Sequence, residues 1–272
     1  MIKLGAIALG TLLLFSGSAV SVAQPSQEEV RYRDTAAIAY DESVSRAASL
    51  ENVTINYSTR TISETRSLAY RYPCYEYSPA YGSCAAIAGA NVIGFYDRYD
   101  ENLIPNHQSG SPIGNTYAYS LEDEAVKKVI VELYKYMGTT TSGTTEQKFK
   151  DGMEDFCRDK GHSITFSSCM QGDAISYSKA KSYLDANQPV ILFLSSYNVG
   201  TITQSTNYDK IEYYVSDVAH IMIAFGYRTY VYNGSSTYQY LNVASGVSGY
   251  ATGLFNINYK TKINNALAVN IT

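Results

Sequence analysis

Tyr81-Gly82-Ser83-Cys84-Ala85-Ala86-Ile87-Ala88-Gly89-Ala90-Asn91-Val92-Ile93-Gly94-Phe95-Tyr96 is a turn that runs straight into an almost wholly apolar stretch. A run of this length with no polar face predicts a helix buried on every side. Cys84 opens it. The unpaired N–H groups and partial positive charge of a helix start favour thiolate over thiol, and thiolate is the nucleophilic form. Most free cysteines are simply small buried apolar residues, so the other residues of the chain must decide between the two roles.

Downstream of this helix the pattern alternates between helix and strand. Asn102 to Asn115, with Pro105 and Pro112, reads as loop. Ala125, Val129, Ile130, Leu133 and Tyr136 recur at helical spacing within Leu121 to Met137. Gly138 to Thr145 is a polar loop whose last threonine suits a helix cap, and Glu146 to Lys160 follows as helix up to Gly161. His162 to Ser167 alternates as a strand, and Ser178 to Asn187 reads as a third amphipathic helix. Pro189 then leads into the apolar run Val190-Ile191-Leu192-Phe193-Leu194, expected to be a buried strand. Strands are also expected over His220–Tyr227, Tyr238–Val243, Tyr250–Tyr259 and Ala266–Ile271, with a turn at Asn233-Gly234-Ser235. Helices first and antiparallel strands last predict an α+β fold.

Upstream, Lys3, an uncharged stretch from Leu4 to Phe15 and the small-x-small step Ser21-Val22-Ala23 match a secretory signal over residues 1–23. Residues 24–68 are rich in Gln, Glu, Arg, Ser and Thr, with a short helical pattern around Ala36 to Leu50. They read equally as a linker or as a propeptide covering a site. Residues 69–272 then form the working domain, in a protein expected to be exported and free of any stable membrane span.

A thiol nucleophile needs a base, and the chain has three histidines. His107 lies in a polar loop and is expected to be solvated, while His162 opens an ordinary strand. His220, in Asp217-Val218-Ala219-His220-Ile221-Met222-Ile223-Ala224-Phe225-Gly226-Tyr227, heads an apolar strand. Its distance from Cys84 falls inside the ~130–150 residues known for thiol peptidases with a cysteine helix packed on a sheet. A third group must hold the imidazole tautomer. Asn242 on the next strand offers an amide oxygen for this, with Ser245 as the competing occupant.

With Cys84, His220 and Asn242 in this order, the chain resembles the papain-fold cysteine peptidases. It is most similar to their bacterial branch akin to bacteriocin-leader processing peptidases. The resemblance is carried by Tyr81–Asn91, Gly143-Thr144-Thr145 with Gly152 and Gly161, Leu184 with Gln188-Pro189-Val190-Ile191, Ala219–Tyr227, and Leu241-Asn242 with Gly246. It implies a nucleophile helix packed on a C-terminal antiparallel sheet, a peptide or protein substrate, and no cofactor. The family's oxyanion glutamine is absent: Ser78, Tyr77 and Glu76 stand there, and Ser78 is the candidate replacement donor.

The remaining features bound the alternatives. A net charge of −4 without a basic cluster argues against nucleic acid as the partner. Scattered histidines and the absence of a Cys-x-x-Cys pair argue against a metal site. Four cysteines in an exported chain allow disulfides, and a Cys157–Cys169 bridge fits the intervening turn, leaving Cys74 over. The 27 tyrosines, with no tryptophan, suit half-buried strand positions or a peptide- or glycan-binding surface. An amidase or acyl transferase using the same Cys/His pair is the second chemistry. A catalytically weakened binding protein is the third reading.

Overall fold

The computed structural model describes residues 29–33, 48–62, 72–114, 116–232, 234, 236–247 and 249–272. The predicted secretory signal, and residues 36–47 of the short helical pattern, lie outside them. Helix α1 (Cys84–Asp97) is buried along its whole length, as its uniformly apolar sequence requires. Helices α2 (Glu124–Tyr136) and α3 (Glu146–Asp159) pack beside it through their apolar stripes, Val126/Val129/Ile130/Leu133 and Phe149/Met153/Phe156. Asp123 caps α2 by accepting from the Ala125 and Val126 N–H groups, and Thr145 caps α3 through the Lys148 N–H. A short helix α4 (Tyr177–Asp185) lies on the far side of the sheet.

The sheet is larger than expected, and all of its pairings are antiparallel. It comprises β1 (Ala48–Asn56), β2 (Thr59–Ile62), β5 (Ile164–Ser168), β8 (Val190–Gln204), β9 (Tyr208–Ser216), β10 (His220–Tyr232), β11 (Ser236–Ala244), β12 (Thr252–Asn256) and β13 (Lys262–Ile271). Short hairpins β3/β4 (Gly110–Ile113, Thr116–Tyr119) and β6/β7 (Met170–Gln171, Ala174–Ile175) stand apart from it. The long β8 does double service. Its first part pairs with β10 and β13, and its second part pairs with β9 and touches β12 at Gly200↔Leu254. Because β10, β11 and β12 are joined in turn, β8 closes them into a barrel-like ring. A Cβ on Gly253 would meet Val199 Cγ2 at 2.5 Å, so this crossing needs a glycine.

This architecture overturns the expected papain-like α+β arrangement of a nucleophile helix on a C-terminal sheet. Among the described residues strand outweighs helix, 42% to 24%, and the ring is built partly from segments not expected to be strands. β8 runs ten residues past Leu194 to Gln204, and β9 was not anticipated. Residues 48–62, read as linker or propeptide, contribute β1 to β9 and β2 to β10. Asn102–Asn115, read as loop, contains β3. Among the described residues no helix is long and apolar enough to cross a membrane.

Some of the tyrosines fill this ring, while others, such as Tyr99, Tyr208 and Tyr238, are exposed. Tyr213, Tyr230 and Tyr240 are buried together, with the Tyr213 hydroxyl donating to Tyr240 at 2.9 Å. Beside them Asp209, fully buried, accepts from Tyr230 Oη at 2.6 Å and from Arg60 and Arg228 at 3.0 and 3.4 Å. This charge cluster ties β2, β9 and β10 together. Removing one member of a buried pair strands the others in a dry interior. Asp209→Ala is therefore expected to cost about 3–5 kcal/mol in urea unfolding, and a loss below 1 kcal/mol would contradict this role.

A buried Cys84 and His220 beneath an extended segment

Ser83 occupies the N-cap position of α1, but its side chain makes no capping bond, because its hydroxyl donates to the Ala80 carbonyl. No acidic residue lies in the first turn. Cys84, 2% exposed, therefore begins a helix with no carboxylate in its own first turn to offset the dipole. The candidate oxyanion donor Ser78 spends its one hydroxyl proton on the Ala80 carbonyl at 2.9 Å, so the substitution expected for the missing glutamine does not form. The N–H groups of Glu76 and Tyr77 are also committed, both to Glu122 Oε2.

His220 is completely buried at the head of β10. Its Nε2 lies 2.6 Å from the Ser245 carbonyl, an acceptor only, so Nε2 carries the proton. Nδ1 is then the unprotonated nitrogen of the neutral ring, and it has no hydrogen-bond partner. The ring packs on Tyr197 at 4.8 Å between centroids. Ile221 and Ile223 turn toward α1, while Met222 and Ala224 turn toward the other core; His220, paired with Leu194 and packed on Tyr197, shares that second face, whereas Cys84 belongs to the first core. The turn that holds the imidazole also touches the cysteine helix: a Cβ on Gly246, the residue after Ser245, would lie 3.3 Å from Ile87 Cγ2, one helical turn from Cys84.

Asn242 does not take the orienting position. Its Cα pairs with Gly226, six residues beyond His220 and roughly 20 Å along the strand. In an antiparallel hairpin, partners lie equally far from the turn, and Asn242 is much nearer the turn at residue 234 than His220 is. The acceptor the ring uses is the Ser245 main chain, at the competing position. No side-chain signal in the sequence marks a backbone carbonyl.

The other histidines differ from expectation in burial. His107 is 5% exposed, its Nδ1 2.8 Å from Asp123 Oδ2 and its Nε2 3.5 Å from Tyr75 Oη. It locks the loop before α2 onto that helix's cap. His162 pairs with Asp100 at 3.3 Å.

A segment absent from the sequence-based site covers this region. Tyr32, 2% exposed, shares the core cluster of Cys84 and packs on Phe193 at 5.3 Å. Its main chain exchanges two hydrogen bonds with Thr144, at 2.8 and 2.9 Å, and the Arg33 N–H donates to the Ala219 carbonyl at 3.2 Å. Asn264 Nδ2 donates to the Tyr32 hydroxyl at 3.1 Å. Burial pushes that hydroxyl up to about 12, Asn264 opposes the shift, and negative charge on Glu146 and Cys84 adds to it. Tyr32 falls in the stretch read as linker or propeptide, and only tertiary pairing distinguishes it.

The chain matches no family model, no curated protein and no solved structure.

None of the four cysteines is in a disulfide, so the expected Cys157–Cys169 bridge is absent. Cys157 packs with the helices and Cys169 in the core on the other side of the sheet. Burial pushes Cys74 up to about 11, Cys157 to about 12 and Cys169 to about 11; Glu76 and Glu122 add to the shift at Cys74. A thiol raised by folding contributes stability that is complete below its unfolded value and disappears as pH rises through its folded value. Stability in urea is therefore expected to fall between about pH 9 and 12. A flat profile across that window would contradict these burials.

Proposed function

We propose that the chain is a cysteine-dependent hydrolase acting on peptide bonds of extended polypeptides, after export. The observation that carries this reading is the buried imidazole of His220. One nitrogen is fixed by the Ser245 carbonyl, the other has no hydrogen-bond partner, and the turn that holds it packs on the first turn of the Cys84 helix. A buried polar atom without a partner is costly and calls for an explanation, and a catalytic role is one such explanation.

In this reading Cys84 Sγ attacks the carbonyl carbon as thiolate, and His220 Nδ1, which must meet it across the junction of the two cores, holds the proton and delivers it to the departing amine. The Nε2–H bond to Ser245 keeps the ring in the tautomer whose Nδ1 is basic and stabilises the imidazolium that forms. The N–H groups at the start of α1 are the oxyanion donors, since Ser78 is engaged elsewhere. The same chemistry recurs on unrelated folds, so the reading does not need the papain architecture.

Alkylation of Cys84 by iodoacetamide as a function of pH provides the test, with the modified residue located by mass spectrometry. The full chain is expected to react well below pH 8, where an ordinary thiol of pKa ~8.5 is mostly protonated. His220→Ala should lose that acidic limb, with the rate at pH 6 falling about 100-fold. Superimposable profiles for the two proteins would overturn the proposal.

A further inference from the structure

His220 is held by a turn, and that turn is itself built by a side chain. Ser245, just past the end of β11, is 1% exposed. Its hydroxyl donates to the Tyr250 carbonyl at 2.6 Å and accepts the Val247 N–H at 2.9 Å. The Ser245 N–H donates to the Ala251 carbonyl and the Tyr250 N–H to the Val247 carbonyl, both at 2.9 Å. Gly246, at φ +66°, supplies the left-handed step that brings the chain round. With its N–H and hydroxyl engaged inside the turn, Ser245 presents its carbonyl to His220 Nε2, 2.6 Å away. A serine hydroxyl that bonds main chain two residues on fixes a turn locally. The side chain of Ser245 therefore sets the direction of its own carbonyl.

The same turn lies where the two cores meet. Ala244, just before Ser245, packs in the core of Cys84 and α1, whereas Val247, just after Gly246, packs in the core on the other side of the sheet. Gly246 itself comes so close to α1 that a Cβ there would lie 3.3 Å from Ile87 Cγ2. A path of stacked rings also returns to this turn. The imidazole packs on Tyr197 with centroids 4.8 Å apart, Tyr197 on Tyr214 at 6.1 Å, and Tyr214 on Tyr250 at 5.4 Å. Tyr250 is the residue whose carbonyl takes the Ser245 hydroxyl. One end of the turn thus holds the imidazole at its Nε2 edge, and the other end backs its face through two tyrosine rings.

Resting on the hydrolase reading above, we propose that Ser245 is a positioning residue whose hydroxyl locks the turn that aims a main-chain acceptor at His220 Nε2 and spans the junction between the imidazole and the Cys84 helix. It touches no reacting atom. Without the hydroxyl, the buried Val247 N–H loses its acceptor and the Tyr250 carbonyl loses this donor. The carbonyl of residue 245 is then free to swing, and the hold on the Nε2–H goes with it. In a catalytic triad the third group orients the ring through its own side chain. Here the orienting atom belongs to the main chain, and the side chain acts one step removed, as an outer partner does behind a ligand.

Hydrogen exchange followed by NMR on the isotope-labelled full chain provides the test. The His220 Nε2–H is expected as a slowly exchanging signal in the parent protein. In Ser245→Ala its exchange should speed up at least about tenfold, while the amides of Val129 and Leu133 in α2 keep their rates. Alkylation of Cys84 at pH 6 should fall about tenfold in the same variant, toward the rate of His220→Ala. An unchanged ring-proton signal would overturn the proposal. So would equal acceleration in α2, because a general loss of stability moves both. A second measurement needs no variant. In the parent protein the Val247 amide should be at least as protected as the ring proton, since the ring cannot stay held once the turn opens. A Val247 amide that exchanges while the ring proton stays protected would sink the idea. Release of the ring proton in Ser245→Ala with alkylation still fast, and slowed only by His220→Ala, would end this inference and leave the hydrolase reading standing. Alkylation indifferent to His220 would remove the hydrolase reading, while the exchange data would still tell whether Ser245 holds the imidazole.

Discussion

Helix α1 has no face that can meet water, and the rest of the molecule is arranged around that constraint. Apolar residues on every side require cover on every side, which α2 and α3, the sheet and the Tyr72–Tyr75 segment provide. Most of the few polar groups it carries are matched internally, Asp97 Oδ2 being left without a hydrogen-bond partner. Asn91 accepts from the Tyr75 N–H at 2.8 Å and donates to the Ile87 carbonyl at 3.1 Å, and Asp97 accepts from the Ile104 N–H at 2.8 Å. A thiol on the first residue of such a helix is shielded from water.

The second constraint is closure of the strand ring. β8 is long enough to serve two sets of neighbours, and it brings the head of β10, where His220 lies, next to the helix core. The interior of the ring is lined by tyrosines whose rings fill space while their hydroxyls satisfy one another and Asp209. That explains an abundance of tyrosine without tryptophan better than a sticky outer surface does: Tyr213, Tyr230 and Tyr240 are buried. Aromatic rings with one polar tip can close a core that also contains a buried carboxylate and guanidinium.

The helices were legible in the sequence because each carries a 3.6-residue apolar period or a continuous apolar run, with Asp123, Thr145 and Ser176 at the caps. The strands at β9 and β1 were not. In Tyr208–Ser216 the buried alternate positions are Asp209, Ile211, Tyr213 and Val215, so the alternation is present, but the carboxylate at its head and Tyr214 on the opposite face blur it. The candidate orienter Asn242 failed for a different reason. Counting residues across a hairpin predicts proximity only once the turn's position in the register is known, and a slip of a few residues displaces a side chain by many ångströms.

Local chemistry was therefore set by the amino-acid order alone: a cysteine at a helix start, a histidine at the head of an apolar strand, and the helices with their caps. These depend on neighbours a few positions away, and short-range sterics and hydrogen bonding decide them. Tertiary structure alone decided the ring closure through β8, the Ser245 carbonyl as partner of the imidazole, and the seating of Tyr32 beside Cys84. Each of those is a contact between residues far apart in the chain, made through main-chain groups that every residue shares or through a pocket assembled from several elements. Such contacts leave no mark on the identity of the residues that make them.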